Sequence, residues 1–187
     1  MAGQNTYEVY PFRDGQTVSI PDRSSVTSIM GSGVHGVEDL LDFFLRNEPD
    51  ADPQLVVRLA GIYIEECALE GVNSDVAFVQ MCLETGFLCF GGLVTEDMNN
   101  FCGLGAVGPE QPGISFPDER TGIRAHVQHL KAYASTEPLV EELVDPRFRL
   151  VQPRGKAPDI FGLAGTWAAD PLYGQKMADM MADLSME

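Results

Sequence analysis

Long apolar runs, signal-like segments and paired cysteine motifs are all missing from this 187-residue sequence. No stretch of eighteen consecutive apolar residues occurs, which excludes a membrane-spanning helix. The N-terminus has no basic segment followed by an apolar run, so we expect no signal peptide in this sequence. The four cysteines form no Cys-x-x-Cys pair and none lies beside a histidine at zinc-finger spacing, which argues against a structural zinc site.

Positive charge is also scarce. The chain has 12 lysines and arginines against 28 acidic residues, a net charge of −16 and a pI near 4.4. This balance argues against binding to nucleic acid through its phosphates, and against electrostatic capture by an anionic membrane or polymer.

What the sequence does contain is helical patterning. Apolar residues with helical spacing predict five helices, over residues 37–45, 54–69, 75–84, 121–134 and 172–184. Almost no strand is expected, so the fold class is mainly α, or α+β with little strand. The 75–84 helix is apolar nearly all round, and we expect it to be central and buried.

The organisation along the chain suggests one folded domain with an extension. Residues 1–34 carry scattered Gly, Ser, Pro and Thr and are interpreted as an N-terminal arm or linker, with the domain at 35–187. Residues 86–120 contain seven glycines and three prolines, which predicts a long irregular segment, with a short hairpin as one option. A loop of that length in a compact domain usually builds a functional site.

Glu84 is the strongest candidate for chemistry. It ends the apolar 75–84 run and is followed at once by Thr85-Gly86. Its apolar neighbours, which include Leu83 and Phe87, disfavour the charged form, so its pKa should be raised and the group should serve as a general acid. This indicates a glycoside-cleaving site. The alternative is a helix-end glutamate that points into solvent.

Four segments, in order, resemble the bacterial endo-β-N-acetylglucosaminidases that cut peptidoglycan (glycoside hydrolase family 73). They are Gln80–Gly86 (QMCLETG), Asn99–Ala106 (NNFCGLGA), Phe116–Leu130 (FPDERTGIRAHVQHL) and Trp167–Met177 (WAADPLYGQKM). Each motif is weak alone, but the four occur in the family's order, and the resemblance covers roughly residues 55–184.

The resemblance implies a lysozyme-like helical domain with a substrate cleft. It implies hydrolysis of the β-1,4 bond after N-acetylglucosamine in peptidoglycan, in the cell envelope or outside the cell, without metal or cofactor. Glu84 would be the general acid and Tyr173 would lie near the cleaved bond. Asn99, Asn100 and Phe101 would shape the cleft floor, although an Asn-Asn pair also simply makes a turn. Trp167 would stack on a sugar ring or be buried in the core.

The second carboxylate is the main departure from the family pattern. The family supplies it from a hairpin after the Asn-Asn turn, and here that region is compressed into residues 106–120. The possible second carboxylates are Glu110, Asp118 and Glu119, and we take Glu119 as the catalytic candidate. If none reaches the site, the substrate's own 2-acetamido group would act as nucleophile. Gly105 also stands where the family often has lysine.

Two other interpretations compete with the enzyme. One is an inactive glucosaminidase-like domain that binds glycan or an envelope protein, and the other is a helical scaffold in which Glu84 is structural. His126 and His129, three apart on one helix, would need a third ligand to bind zinc, and none stands at suitable spacing, so no metal is predicted.

Overall fold

The computed structural model describes residues 28–186 of the chain. Its α-helices, all within that range, are α1 (Val37–Asn47), α2 (Pro53–Glu70), α3 (Ser74–Thr85), α4 (Glu119–Ala134) and α5 (Tyr173–Leu184). Single 3₁₀ turns cover Glu96–Met98, Phe148–Leu150 and Ile160–Leu163. The part described has only isolated β-bridges in place of a sheet, so the expected mainly α class is confirmed.

Local capping explains where the helices begin and end. Asp52 accepts a hydrogen bond from the Gln54 amide at the start of α2, and Asn73 accepts from the Asp75 amide at the start of α3. Gly71 and Gly86 follow these helices in the left-handed conformation that suits glycine. The two consecutive helices are therefore delimited by their own sequence.

Helix α3 is the central element. It packs against all four other helices, and most of its residues are buried. The sequence had placed an almost wholly apolar helix there, and the structure has it at the centre of the main core. A helix surrounded on every side is rigid, which suits it to present a reactive group at its end.

A cluster of charged side chains joins α2 to α4. Glu66 is fully buried and accepts hydrogen bonds from Arg120 and Arg124. Burial alone would raise the pKa of Glu66, but the hydrogen bonds from the two guanidinium groups outweigh it and lower that pKa. One turn further on, Lys131 donates to Glu70 at 2.9 Å between two buried side chains. These pairs fix the register of α4 along α2.

Residues 28–34 belong to the folded domain. Ile29 is fully buried, and Met30 bridges to Val72. The amides of Val34 and His35 donate to Asp75 at the start of α3. The expected domain boundary at residue 34 therefore falls inside packed structure, because apolar Ile29 anchors this stretch; residues 1–27 of the predicted arm lie outside the described residues.

Two further observations concern the chain between residues 28 and 186. No helix there combines the length and the apolar character needed to cross a membrane. The four cysteines are free thiols: Cys67, Cys82 and Cys102 are buried, whereas Cys89 is exposed. Cys89 lies in the loop after α3.

Candidate active site

Glu84 lies in the last turn of α3, at the floor of a cleft. Its carboxyl is half-buried and lines a cavity of about 560 Å³. The opposite wall comes from the long irregular segment, through residues 89–94 and the turn at Asn100–Ala106. The carboxyl thus sits where the rigid central helix meets the glycine-rich loop.

Two donors far away in sequence converge on a single oxygen of this carboxyl. The Tyr173 hydroxyl donates to Glu84 Oε1 at 2.5 Å, and the Trp167 indole Nε1 donates to the same oxygen at 3.0 Å. Tyr173 begins α5 and Trp167 lies in the loop that precedes it. Because Oε1 is taken by both donors, Oε2 is the atom left to carry a proton.

The environment raises the pKa of Glu84. Burial disfavours the carboxylate and is the largest effect, while the hydrogen bonds from Tyr173 and Trp167 act in the opposite direction. The net effect of burial is to keep the proton on the carboxyl to higher pH than for a free glutamate. Burial and the neighbouring carboxyl also raise the pKa of Tyr173 far above its usual value, so its hydroxyl stays a donor.

A buried chain of hydrogen bonds continues behind Tyr173. The Gln80 amide Nε2 donates to the Tyr173 hydroxyl at 2.9 Å, and Gln80 Oε1 lies 3.0 Å from His126 Nε2. His126 Nδ1 in turn lies 2.8 Å from the Tyr63 hydroxyl. Burial lowers the pKa of His126 to about 3, so the ring is neutral near pH 7.

An aromatic cage holds the Trp167 indole. Its ring centroid lies 5.2 Å from those of His129 and Tyr133 and 5.9 Å from that of His126. His129 Nδ1 is in turn 2.8 Å from a buried Asp145 oxygen. Trp167 is therefore placed by packing on α4, with its polar edge directed at Glu84.

Asn100 ties the turn together through its side-chain amide. It is buried, donates to the carbonyls of Leu104 and Ile114, and accepts from the amides of Cys102 and Leu104. With its amide used in this way, Asn100 shapes the cavity wall. Whether it also contacts substrate stays a prediction.

The two neighbours of Asn100 in the expected cleft floor line an adjoining cavity of about 340 Å³, which shares Phe90 with the first. Asn99 has a left-handed backbone and donates to the Phe116 carbonyl. Phe101 is buried in the main core. Both residues line the adjoining cavity, and neither lines the Glu84 cavity.

The three candidates for a second carboxylate occupy different places. Glu119 lines the adjoining cavity and forms a bidentate ion pair with Arg58, at 2.8 and 2.9 Å. Asp118 caps α4 by accepting from the Thr121 amide, and Glu110 is exposed in the tight turn between the bridged residues Gly108 and Gln111. Of these, Glu119 alone is in the cleft, and it does not line the Glu84 cavity.

Each of the two histidines on α4 supports one of the two residues that donate to Glu84. His126 stands behind Tyr173, and His129 stands behind Trp167. Within residues 28–186, no group of three or more His, Cys, Asp or Glu side chains is arranged to hold a metal ion.

Sequence reasoning missed Gln80 as a participant, although the motif that includes it was noted. A signal was present: Gln80 is a polar residue in a helix expected to be buried all round, and it stands four residues before Glu84. A buried amide must have partners, and the i, i+4 spacing puts both side chains on one face.

A half-buried carboxyl in a cleft, with a pKa raised by burial, has the properties of the general acid of a glycoside hydrolase. Comparison with known families agrees: residues 60–186 match the model of the glucosaminidase family, described as mannosyl-glycoprotein endo-beta-N-acetylglucosaminidase. The chain belongs to this family.

Two individual relatives are informative. An uncharacterized protein of Borreliella burgdorferi is 41% identical over 168 residues, which cover 90% of this chain and 82% of that protein. The crystal structure of S. aureus autolysin E, in complex with a muropeptide, superposes with a TM-score of 0.52 at 13% identity, over 97% of this chain and 85% of the other. That likeness shows a shared fold, and it confirms the expected lysozyme-like helical architecture.

Proposed function

We propose that this protein hydrolyses the β-1,4 bond after N-acetylglucosamine in peptidoglycan glycan strands, with Glu84 as the general acid. The observation that carries this proposal is the convergence of Tyr173 and Trp167 on one oxygen of a half-buried carboxyl at a cleft floor. Family membership supplies the reaction class, and the muropeptide bound in the structurally similar autolysin supports the substrate class.

The geometry suggests how the acid acts. Protonated Glu84 holds its hydrogen on Oε2 and gives it to the glycosidic oxygen as the bond from that oxygen to the anomeric carbon breaks. The carboxylate that results keeps both hydrogen bonds on Oε1, so the charge it gains is stabilised as soon as it forms. The carboxylate then takes a proton from the water that completes hydrolysis.

The cleft suits a neutral sugar better than a charged ligand. Besides Glu84, its lining consists of glycines, apolar side chains such as Phe90, Leu93 and Val94, and the uncharged polar residues Thr85, Cys89 and Asn100. No basic side chain of the described residues lines this cavity. Ring faces and N-acetyl methyl groups would therefore provide much of the contact, in keeping with the strongly acidic net charge.

The nucleophile of the first step has two candidates. Glu119 is the carboxylate in the adjoining cavity, and it would have to leave Arg58 to act. The second candidate is the 2-acetamido group of the substrate, whose carbonyl oxygen attacks the anomeric carbon. The absence of a second acid from the described lining of the Glu84 cavity favours the acetamido group.

By the same family argument, we place the protein in the cell envelope or outside the cell, where its substrate is.

A second function, glycan binding without cleavage, is compatible with the same cleft if no nucleophile is available. It predicts retention on peptidoglycan without release of fragments. A scaffold role predicts neither.

The experiment that tests the proposal compares hydrolysis of purified peptidoglycan by wild type and by three variants. Glu84→Gln keeps the shape of the side chain and loses the proton, so the rate should fall by about 10²–10⁴ with the fold intact. Glu38→Gln, on an exposed position of α1, is the control and should match wild type. Glu119→Gln should retain activity if the acetamido group is the nucleophile.

The outcomes separate the alternatives. Clearing by wild type that Glu84→Gln abolishes supports the enzyme. Pull-down of the protein with peptidoglycan without any clearing supports the binding domain. An active Glu84→Gln variant would contradict the assignment of the acid, and an inactive Glu119→Gln variant that is folded would make Glu119 the nucleophile.

A further inference from the structure

The buried chain of hydrogen bonds behind Tyr173 has one order of donors and acceptors. Gln80 turns its Nε2 towards the Tyr173 oxygen, so its Oε1 faces His126 and can only accept. The His126 Nε2 therefore carries the ring hydrogen. Because the ring is neutral, Nδ1 accepts, and the Tyr63 hydroxyl donates to it.

This order determines what Tyr173 does. Its oxygen already accepts from Gln80, so its single hydrogen is directed at Glu84 Oε1. If the Gln80 amide were turned over, its oxygen would face Tyr173 and compete with Glu84 for that hydrogen. A protonated Glu84 would then donate to Tyr173, and the acidic hydrogen would point away from the substrate.

We infer that His126 and Gln80 are positioning residues for this reaction: the N–H of His126 locks the Gln80 amide in the orientation that keeps Tyr173 a donor to Glu84. Neither residue lines the cavity, and both are fully buried, so neither touches substrate. They act through Tyr173 by selecting Oε2 of Glu84 as the atom that holds the catalytic proton. The inference rests on the proposed role of Glu84.

The first test needs no variant and no activity. The ¹⁵N shifts of the His126 ring in the labelled wild-type protein report which nitrogen carries the hydrogen, with His126→Gln used to assign the signals. A neutral ring with hydrogen on Nε2 is expected near pH 7. A ring with hydrogen on Nδ1 would require the opposite order of donors and acceptors along these hydrogen bonds and would overturn the inference.

The second test compares two substitutions of His126. His126→Leu removes the lock, so Gln80 can turn over and favour protonated Glu84; the basic limb of the kcat/KM profile should move to higher pH. We expect kcat to fall about tenfold, the rate equivalent of one hydrogen bond, with KM little changed. His126→Gln retains a donor towards Gln80. The basic limb should therefore return to its wild-type pH, and kcat to its wild-type value.

A role limited to packing gives a different pattern. His126→Leu would then lower the melting temperature without moving the basic limb, and His126→Gln would restore nothing beyond stability; that result contradicts the inference. If wild type itself does not cleave peptidoglycan while the Nε2–H form is observed, the proposed function fails and the orientation of the chain stands.

Discussion

At the level of single residues, the site depends on opposed effects at Glu84. Burial raises the pKa of its carboxyl, and the two donors on Oε1 lower it. A general acid must hold its proton at working pH and still release it when the bond breaks, so neither effect alone would serve. The hydrogen bonds from Tyr173 and Trp167 limit how far burial raises the pKa of Glu84.

Trp167→Phe tests this balance. The substitution keeps an aromatic ring in the cage of His129 and Tyr133 but removes the indole N–H that donates to Glu84. Since that hydrogen bond lowers the pKa of Glu84, its loss should raise the pKa and move the basic limb of the kcat/KM profile to higher pH.

Tyr133→Phe is the matched control for that experiment. Tyr133 packs on the same indole, and its hydroxyl donates to the Thr166 carbonyl rather than to Glu84. Its loss should leave the limb where it is in wild type. A Trp167→Phe profile that coincides with wild type, or moves to lower pH, would show that the indole does not tune the acid.

The sequence allowed a partial prediction of these residues. Motif resemblance assigns both Glu84 and Tyr173 to the surroundings of the cleaved bond, and the structure brings their side chains into direct contact. The sequence predicts that Trp167 stacks on a sugar ring or is buried in the core, whereas its indole N–H donates a hydrogen bond to Glu84. The direction of a polar edge depends on tertiary packing, which periodicity in a sequence does not encode.

At the level of secondary-structure elements, α4 organises the site. It carries His126 and His129 behind the two donors of Glu84, and it supports the Asn99–Asn100 turn at Gly122. A Cβ at Gly122 would meet the Asn99 carbonyl oxygen at 1.8 Å. The turn and the helix therefore approach so closely that only glycine fits.

Gly122→Ala should consequently displace the Asn99–Asn100 turn and destabilise the protein. Overpacking of this kind typically costs about 1–3 kcal/mol or more. Gly61→Ala in α2 is the control, since a Cβ there meets no atom within 4 Å and alanine favours a helix by up to about 1 kcal/mol. Chemical denaturation of both variants measures the difference. A Gly122→Ala variant as stable as Gly61→Ala would contradict the close packing.

The elements differ in how far the sequence predicts them. All five helices were expected within a few residues of their observed bounds from the spacing of their apolar residues. For α2 and α3, Asp52, Asn73, Gly71 and Gly86 also give local start and stop signals. The irregular segment after α3 was expected, but its backbone conformation was not: Phe87, Leu88 and Phe90 have left-handed backbones, which side chains of that bulk rarely adopt. Tertiary contacts hold that conformation, and such strained stretches cluster at functional sites.

For the whole molecule, fold and family agree with the expectation from sequence. The four ordered motifs indicated the glucosaminidase family, and the family match over residues 60–186 confirms it. The second carboxylate could not be predicted, because the compressed region 106–120 offers three acids and their spacing does not select one of them. In the structure Glu119 faces the cleft from the first turn of α4, paired with Arg58.

The most direct measurement identifies the sugar at the new reducing end of the peptidoglycan fragments. Products of wild-type digestion are reduced with borohydride, hydrolysed in acid and analysed by mass spectrometry, beside a Glu84→Gln digestion. The account predicts reduced N-acetylglucosamine as the new end, seen as glucosaminitol, in wild type and almost none with Glu84→Gln. Reduced muramic acid from wild type, or equal yields from the two proteins, would contradict it.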